Sequence, residues 1–295
     1  MAGVSVSEKY RDLIISMMKT GTQSNTVTEE NVFQAGIMAK RPFIEKMLNE
    51  LMRPKSRIIG LENLSELYKK CVAGKSCLIL TEHYSNFDLP AIIYLLEKSG
   101  LEGKTMADSI IAIAGRKLNE ESPVVSAFAA AYSRIIIYPS RSLDSISDPE
   151  ILKEERKKSA AINRAALHEL IRRKQSGHMI LLFPAGTRYR PGRPETKQGL
   201  KEIDSYIRSF DHMVFIGLGG NLLRICPSGD MQEDIVAEDT VILKISPVVD
   251  CKEFRDRAHK EVPEGSDAKQ FTVDRIMSEL EKLHEEIAAL GENKD

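Results

Sequence analysis

Six short apolar runs, none alternating with polar residues along its centre, constrain the fold more than any other feature of this chain. They are CLIL (77–80), IIAIA (110–114), RIIIY (134–138), HMILLF (178–183), MVFIGL (213–218) and VILKISPVV (241–249). A run of this kind suits a strand covered on both faces, as strands of a parallel sheet are. Helical patterns separate the runs, notably DLPAIIYLLEKSG and the long ILKEERKKSAAINRAALHELIRRKQSG, which stops at Gly177. A glycine there suits the left-handed residue that ends many helices. Strand followed by helix, repeated, predicts an α/β fold: a mostly parallel mixed sheet flanked by helices.

Ahead of the first run, residues 7–52 read as helical. YRDLIISMMK, ENVFQAGIMAK and PFIEKMLNELM carry apolar residues at three- and four-residue spacing, Thr28 before Glu29 and Glu30 resembles a helix start, and Pro42 suits a first turn. The expectation is a small helical amino-terminal domain over 1–56, then an α/β domain over 57–295 that closes with an amphipathic helix near 272–290. The Ile15 and Met18 stripe is expected in the core.

Charge and cysteine content narrow the function. Lys and Arg total 42 against 43 Asp and Glu, a net charge of -1, so the chain is no globally basic binder of nucleic acid. Any anion site must rest on particular arginines. The four cysteines, Cys71, Cys77, Cys226 and Cys251, form no C-x-x-C pair and have no histidine at ligand spacing. Neither a metal site nor a disulfide framework is indicated, and a reducing, cytoplasmic setting is expected. No window approaches the ~18 apolar residues of a membrane span; contact with a membrane surface stays open.

In a parallel sheet, ligands gather outside the carboxyl ends of the strands, and three of those ends are chemically loaded. After CLIL comes TEHYSNFD. His83 and Asp88 are five apart, which on a helix would put them on different faces; a turn between strand and helix could bring them together. The carboxylate would then fix the histidine tautomer and make it a general base. The alternative is that Asp88 or Asn86 merely caps the helix. After HMILLF comes PAGTRYR, where Pro184 and Gly186 suit a tight turn. Arg188 and Arg190, two apart in an extended segment, could then grip one anion. After RIIIY comes PSRS, with Arg141 and Ser142. The chain lacks a G-x-S-x-G nucleophile elbow, and IGLGGN is neither a dinucleotide fingerprint nor a P-loop.

HYSNFD has the H-x4-D form of the glycerolipid acyltransferases, and FPAGTR resembles their F-P-E-G-T-R block at a similar separation. The chain is most similar to the soluble, chloroplast-type glycerol-3-phosphate acyltransferases, in which a helical domain precedes the α/β domain and the second block carries R-x-R. IIIYPSRSLDSISDPEILKEERKKS is also similar to their segment running through a basic pair into D-P-E-L. The likeness covers roughly residues 57–250. Ala185 stands where membrane-bound relatives have Glu, Ser142 replaces a histidine of the basic pair, and Gly217 replaces a proline. Arg116, in IAGRKL, corresponds either to an intermediate glycine-arginine block or to a structural ion pair.

The resemblance implies acyl transfer from acyl carrier protein or coenzyme A to the 1-hydroxyl of glycerol 3-phosphate, with neither metal nor cofactor. His83 would be the base and Asp88 its partner, while Arg141, Ser142, Arg188 and Arg190 would bind the phosphate. Backbone N–H groups near the start of the Asp88 helix would stabilise the oxyanion. The remaining readings are transfer to lysophosphatidate or dihydroxyacetone phosphate, and a non-catalytic phospholipid-binding protein.

Overall fold

The computed structural model describes residues 3–21, 23–120, 122–144, 146–226 and 228–292. The amino-terminal segment contributes α1 (Val6–Lys9), α2 (Arg11–Lys19), strand β1 (Phe33–Gln34) and α3 (Arg41–Leu51). Then follow β2 (Arg57–Ile59), α4 (Leu61–Val72), β3 (Cys77–Thr81), α5 (Asp88–Lys98), α6 (Leu101–Ser109) and β4 (Ile110–Gly115). Next come α7 (Lys117–Glu120), α8 (Pro123–Ala129), β5 (Arg134–Ile137), α9 (Arg141–Asp144), α10 (Pro149–Lys174), β6 (Met179–Leu182), α11 (Ile203–Ser209) and β7 (His212–Gly219). A two-stranded ribbon, β8 (Leu223–Arg224) with β9 (Ile235–Val236), precedes β10 (Ile242–Ile245), β11 (Val249–Asp250), α12 (Cys251–Glu261) and α13 (Ala268–Glu292).

The main sheet runs β1-β5-β4-β6-β3-β7-β10-β2, with β11 beside β7. Its five central strands, β5, β4, β6, β3 and β7, are parallel, and the edges are antiparallel to them. Every residue of β3 and β6 is buried, because helices cover both faces, and this is why these strands read as unbroken apolar runs. Among the described residues no helix is long and apolar enough to cross a membrane.

The amino-terminal segment is less helical than its spacing implies. ENVFQAGIMAK is not a helix: Phe33 and Gln34 pair with β5, opposite Ile135 and Arg134. Asn119 and Arg134 side chains hold the Gln34 amide oxygen, so sheet-edge pairing overrides the local periodicity. The stripe is also displaced by one residue. Ile14 and Met17 are buried, whereas Ile15 and Met18 are 42% and 37% exposed. Val6, Tyr10, Ile14 and Met17 join the same apolar cluster as Ile79 and Leu181 of the central sheet.

Glycine decides how α13 lies on the sheet. A Cβ on Gly217 would fall 2.6 Å from Leu283 Cβ, and one on Gly219 would fall 2.3 Å from Ile287 Cγ2. The helix backbone therefore rests directly on β7. Gly217→Ala is expected to destabilise the fold by roughly 1–3 kcal/mol through overpacking, read as a lowered urea midpoint at unchanged m-value; an unchanged midpoint would mean α13 can lift away freely.

Candidate active site

Because β3, β6, β4 and β5 are parallel, the residues that follow them all emerge at one end of the sheet. The turn after β3 is built around Asp88, the first residue of α5. Its Oδ2 accepts from the backbone N–H of Tyr84 at 2.6 Å and of Ser85 at 2.9 Å, and lies 2.8 Å from His83 Nδ1. Its Oδ1 accepts from the Ser85 hydroxyl at 3.0 Å. The capping alternative is not what is seen: the residue before the helix is Phe87, and no side chain caps that end. Asp88 instead folds the turn back over itself, so that a five-residue spacing unsuited to a helix becomes a contact.

With Nδ1 committed to Asp88, His83 keeps Nε2 for chemistry. The ring stacks on Phe183, the residue after β6, at 4.0 Å between centroids, and its side chain is 19% exposed. The Tyr189 N–H donates to the His83 carbonyl at 2.7 Å, fastening the β6 loop to the β3 turn. That loop begins with the expected tight turn, in which Gly186 has φ +62° and its N–H donates to Phe183 O. Thr81, Pro184, Ala185, Lys197 and Met277 line a small cleft beside His83.

The arginines divide. Arg188 is buried and ion-paired with Asp234, on the stretch leading into β9. Burial pushes the Asp234 carboxyl above its usual range, with Arg188 and the Cys226 N–H opposing the rise. Arg190 is half-buried and its Nε is enclosed with no hydrogen-bond partner among the described residues; its backbone N–H donates to Thr196 Oγ1. The two therefore do not grip a common group here: a carboxylate 46 residues further on claims the first.

Arg141 and Ser142 open α9 at the end of β5. The strands that lead to Arg141 and to the arginine loop are not neighbours, since β4 lies between β5 and β6. At about 4.8 Å per strand, β5 lies about 10 Å from β6 and about 14 Å from β3. Arg141 is exposed, and Ser142 is half-buried with its N–H on Pro139 O. Arg116, at the end of β4, is a structural ion pair: Nε lies 3.2 Å from Glu120, Nη2 lies 3.5 Å from Glu155, and the guanidinium sits over the Tyr138 ring.

The suspected oxyanion donors are partly spent. The amides of Tyr84, Ser85, Phe87 and Asp88 already bond Asp88, Ser85 Oγ and Ser85 O. The segments 91–98 and 124–132 are mostly buried core. Glu82, Tyr84, Asp234 and His284 were not singled out by sequence. Glu82 and Tyr84 flank His83 and could have been noticed; Asp234 and His284 carry no local signal.

A mostly parallel α/β sheet with a histidine–carboxylate pair at one strand end and two arginines on the adjacent loop is an arrangement suited to proton transfer beside an anion. A family model described as Acyltransferase matches residues 55–210, and the chain belongs to this acyltransferase family. No curated protein matches the chain. The matched span contains His83, Asp88, Arg141, Ser142, Arg188 and Arg190 and ends just past α11, short of Asp234 and α13.

Proposed function

We propose that this acyltransferase moves a fatty acyl group from acyl carrier protein or coenzyme A to the 1-hydroxyl of glycerol 3-phosphate, giving lysophosphatidate. The observation that carries the reading is the His83 Nδ1–Asp88 Oδ2 contact of 2.8 Å, one loop away from the enclosed, unbonded Nε of Arg190.

In this reading His83 Nε2 takes the hydroxyl proton as that oxygen attacks the thioester carbonyl carbon. The tetrahedral intermediate collapses with cleavage of the C–S bond, and the imidazolium returns the proton to the departing sulfur. Asp88 stabilises the imidazolium and fixes the ring. No acyl-enzyme is needed, because the acceptor brings its own nucleophile. Arg190 is the inner contact for the acceptor phosphate, since Arg188 is committed to Asp234. Arg141 and Ser142 take an outer position, and the membrane-bound destination of the product favours peripheral contact with a bilayer.

Arg190→Ala is expected to raise the KM for glycerol 3-phosphate roughly thirtyfold, about 2 kcal/mol for one charged contact to phosphate, with kcat less affected. Thioester consumption is to be followed with palmitoyl donors on both carriers, comparing glycerol 3-phosphate, dihydroxyacetone phosphate and 1-acylglycerol 3-phosphate as acceptors. Preference for either of the other two would overturn the acceptor assignment. Binding without turnover of any donor would point to a lipid-binding role.

A further inference from the structure

The described part of the carboxyl-terminal helix reaches the dyad through the buried carboxylate of Glu82. Glu82, next to His83, is 5% exposed. Its Oε1 accepts from the Tyr84 hydroxyl at 2.6 Å and its Oε2 from the Leu218 N–H at 2.9 Å. His284, on α13, completes the group: Nδ1 lies 3.3 Å from Glu82 Oε2, 3.2 Å from the Tyr84 hydroxyl and 2.9 Å from the Leu218 carbonyl. A buried carboxylate requires such donors, because losing water without compensation is costly.

Tyr84 is held at both ends. Its hydroxyl is fixed in the Glu82–His284 group, while its backbone N–H donates at 2.6 Å to Asp88 Oδ2, the oxygen that orients His83. Charged groups near His284 among the described residues include Glu281, on the same helix, and Lys197 on the β6 loop, which pair with each other, and Glu286, which pairs with Lys244. Lys197 also lies over the Tyr189 ring, and the Tyr189 amide holds His83 O. The bond to Glu82 raises the His284 pKa, burial opposing it.

Packing alone does not call for a histidine at this position. Val273, Ile276, Leu280, Leu283 and Ile287 supply the buried apolar face of α13, and the His284 side chain is 35% exposed.

We infer that His284 is a positioning residue for the His83–Asp88 dyad, acting through the Glu82 carboxylate and Tyr84, and that α13 is therefore part of the catalytic apparatus. The inference rests on the acyl-transfer reading for its kinetic consequence and on geometry alone for its structural one. Without His284, Glu82 keeps only the Tyr84 hydroxyl and the Leu218 N–H, the acceptor of the Tyr84 hydroxyl is held less firmly, and the amide bond to Asp88 loosens. Small misplacements of a catalytic group carry large rate penalties.

The test compares His284→Ala, His284→Gln, Tyr84→Phe and the His284→Ala/Tyr84→Phe pair in the full chain. His284→Ala is expected to lower kcat about tenfold or more, with the acceptor KM within about twofold. His284→Gln, which keeps an N–H donor, should recover most of that loss, and the double variant should be no worse than its worse single. A second readout needs no turnover: the downfield proton NMR resonance of His83 Nδ1–H should broaden or vanish in His284→Ala and persist in His284→Gln. If the wild type turns over nothing but the resonance responds this way, the functional reading fails and the positioning role stands. An unchanged resonance with unchanged kcat overturns the inference. So does an equal loss in both His284 variants that only follows their melting temperatures, since that marks a structural role.

Discussion

Replacing His83 by alanine is expected to lower acceptor-dependent thioester turnover by about a thousandfold while leaving the fold intact. The magnitude follows from the role: a positioned general base contributes roughly 10²–10⁴ in rate, and here no second base is held in the same orientation by Asp88. The fold should survive because Asp88 keeps its other donors, the N–H groups of Tyr84 and Ser85 and the Ser85 hydroxyl. The turn would therefore persist without the imidazole. Turnover by His83→Ala above about a tenth of wild type, at equal melting temperature, would remove His83 from the base role. Retained glycerol 3-phosphate binding alongside lost turnover would separate the chemical step from binding of the proposed acceptor.

The largest stability effect is expected at Asp234. Its carboxylate has no exposed side-chain surface and pairs with Arg188, itself 7% exposed; it also accepts the Cys226 N–H at 3.0 Å. Asp234→Ala strands a buried guanidinium, which costs about 3–5 kcal/mol. Replacing both partners by apolar residues, Arg188→Met with Asp234→Leu, should cost far less, because no charge is then left unpaired. Urea denaturation of the two variants measures the difference. If Asp234→Ala loses less than about 1 kcal/mol, Arg188 has turned to another partner, and its place in an anion site would need to be reopened.

The carboxylate on Arg188 also bears on the departure at Ala185. Where the F-P-E-G-T-R pattern has an acid within its own loop, this chain has a buried alanine and receives a carboxylate from the stretch leading into β9 instead. The support for this arginine therefore comes from outside the matched span.

Much of this protein was legible in its sequence. Five apolar runs became the central parallel strands and the sixth became β10 with β11, because a strand buried on both faces has no polar side to display. The His83–Asp88 contact was legible as one of two readings, since a turn between strand end and helix start could bring the pair together while Asp88 or Asn86 could equally have capped the helix, and the structure separates them. Local periodicity failed at Phe33 and Gln34, where pairing with β5 outweighed a helical pattern. Tertiary structure alone decided the rest. Strand order placed β4 between β5 and β6, so that Arg141 and the arginine loop follow strands that are not neighbours. The ion pair of Arg188 with Asp234, and the reach of His284 to Glu82 across glycines of β7, join residues far apart in the chain. Such contacts leave no local trace, because which distant groups meet is fixed by the order and twist of the sheet and the packing upon it.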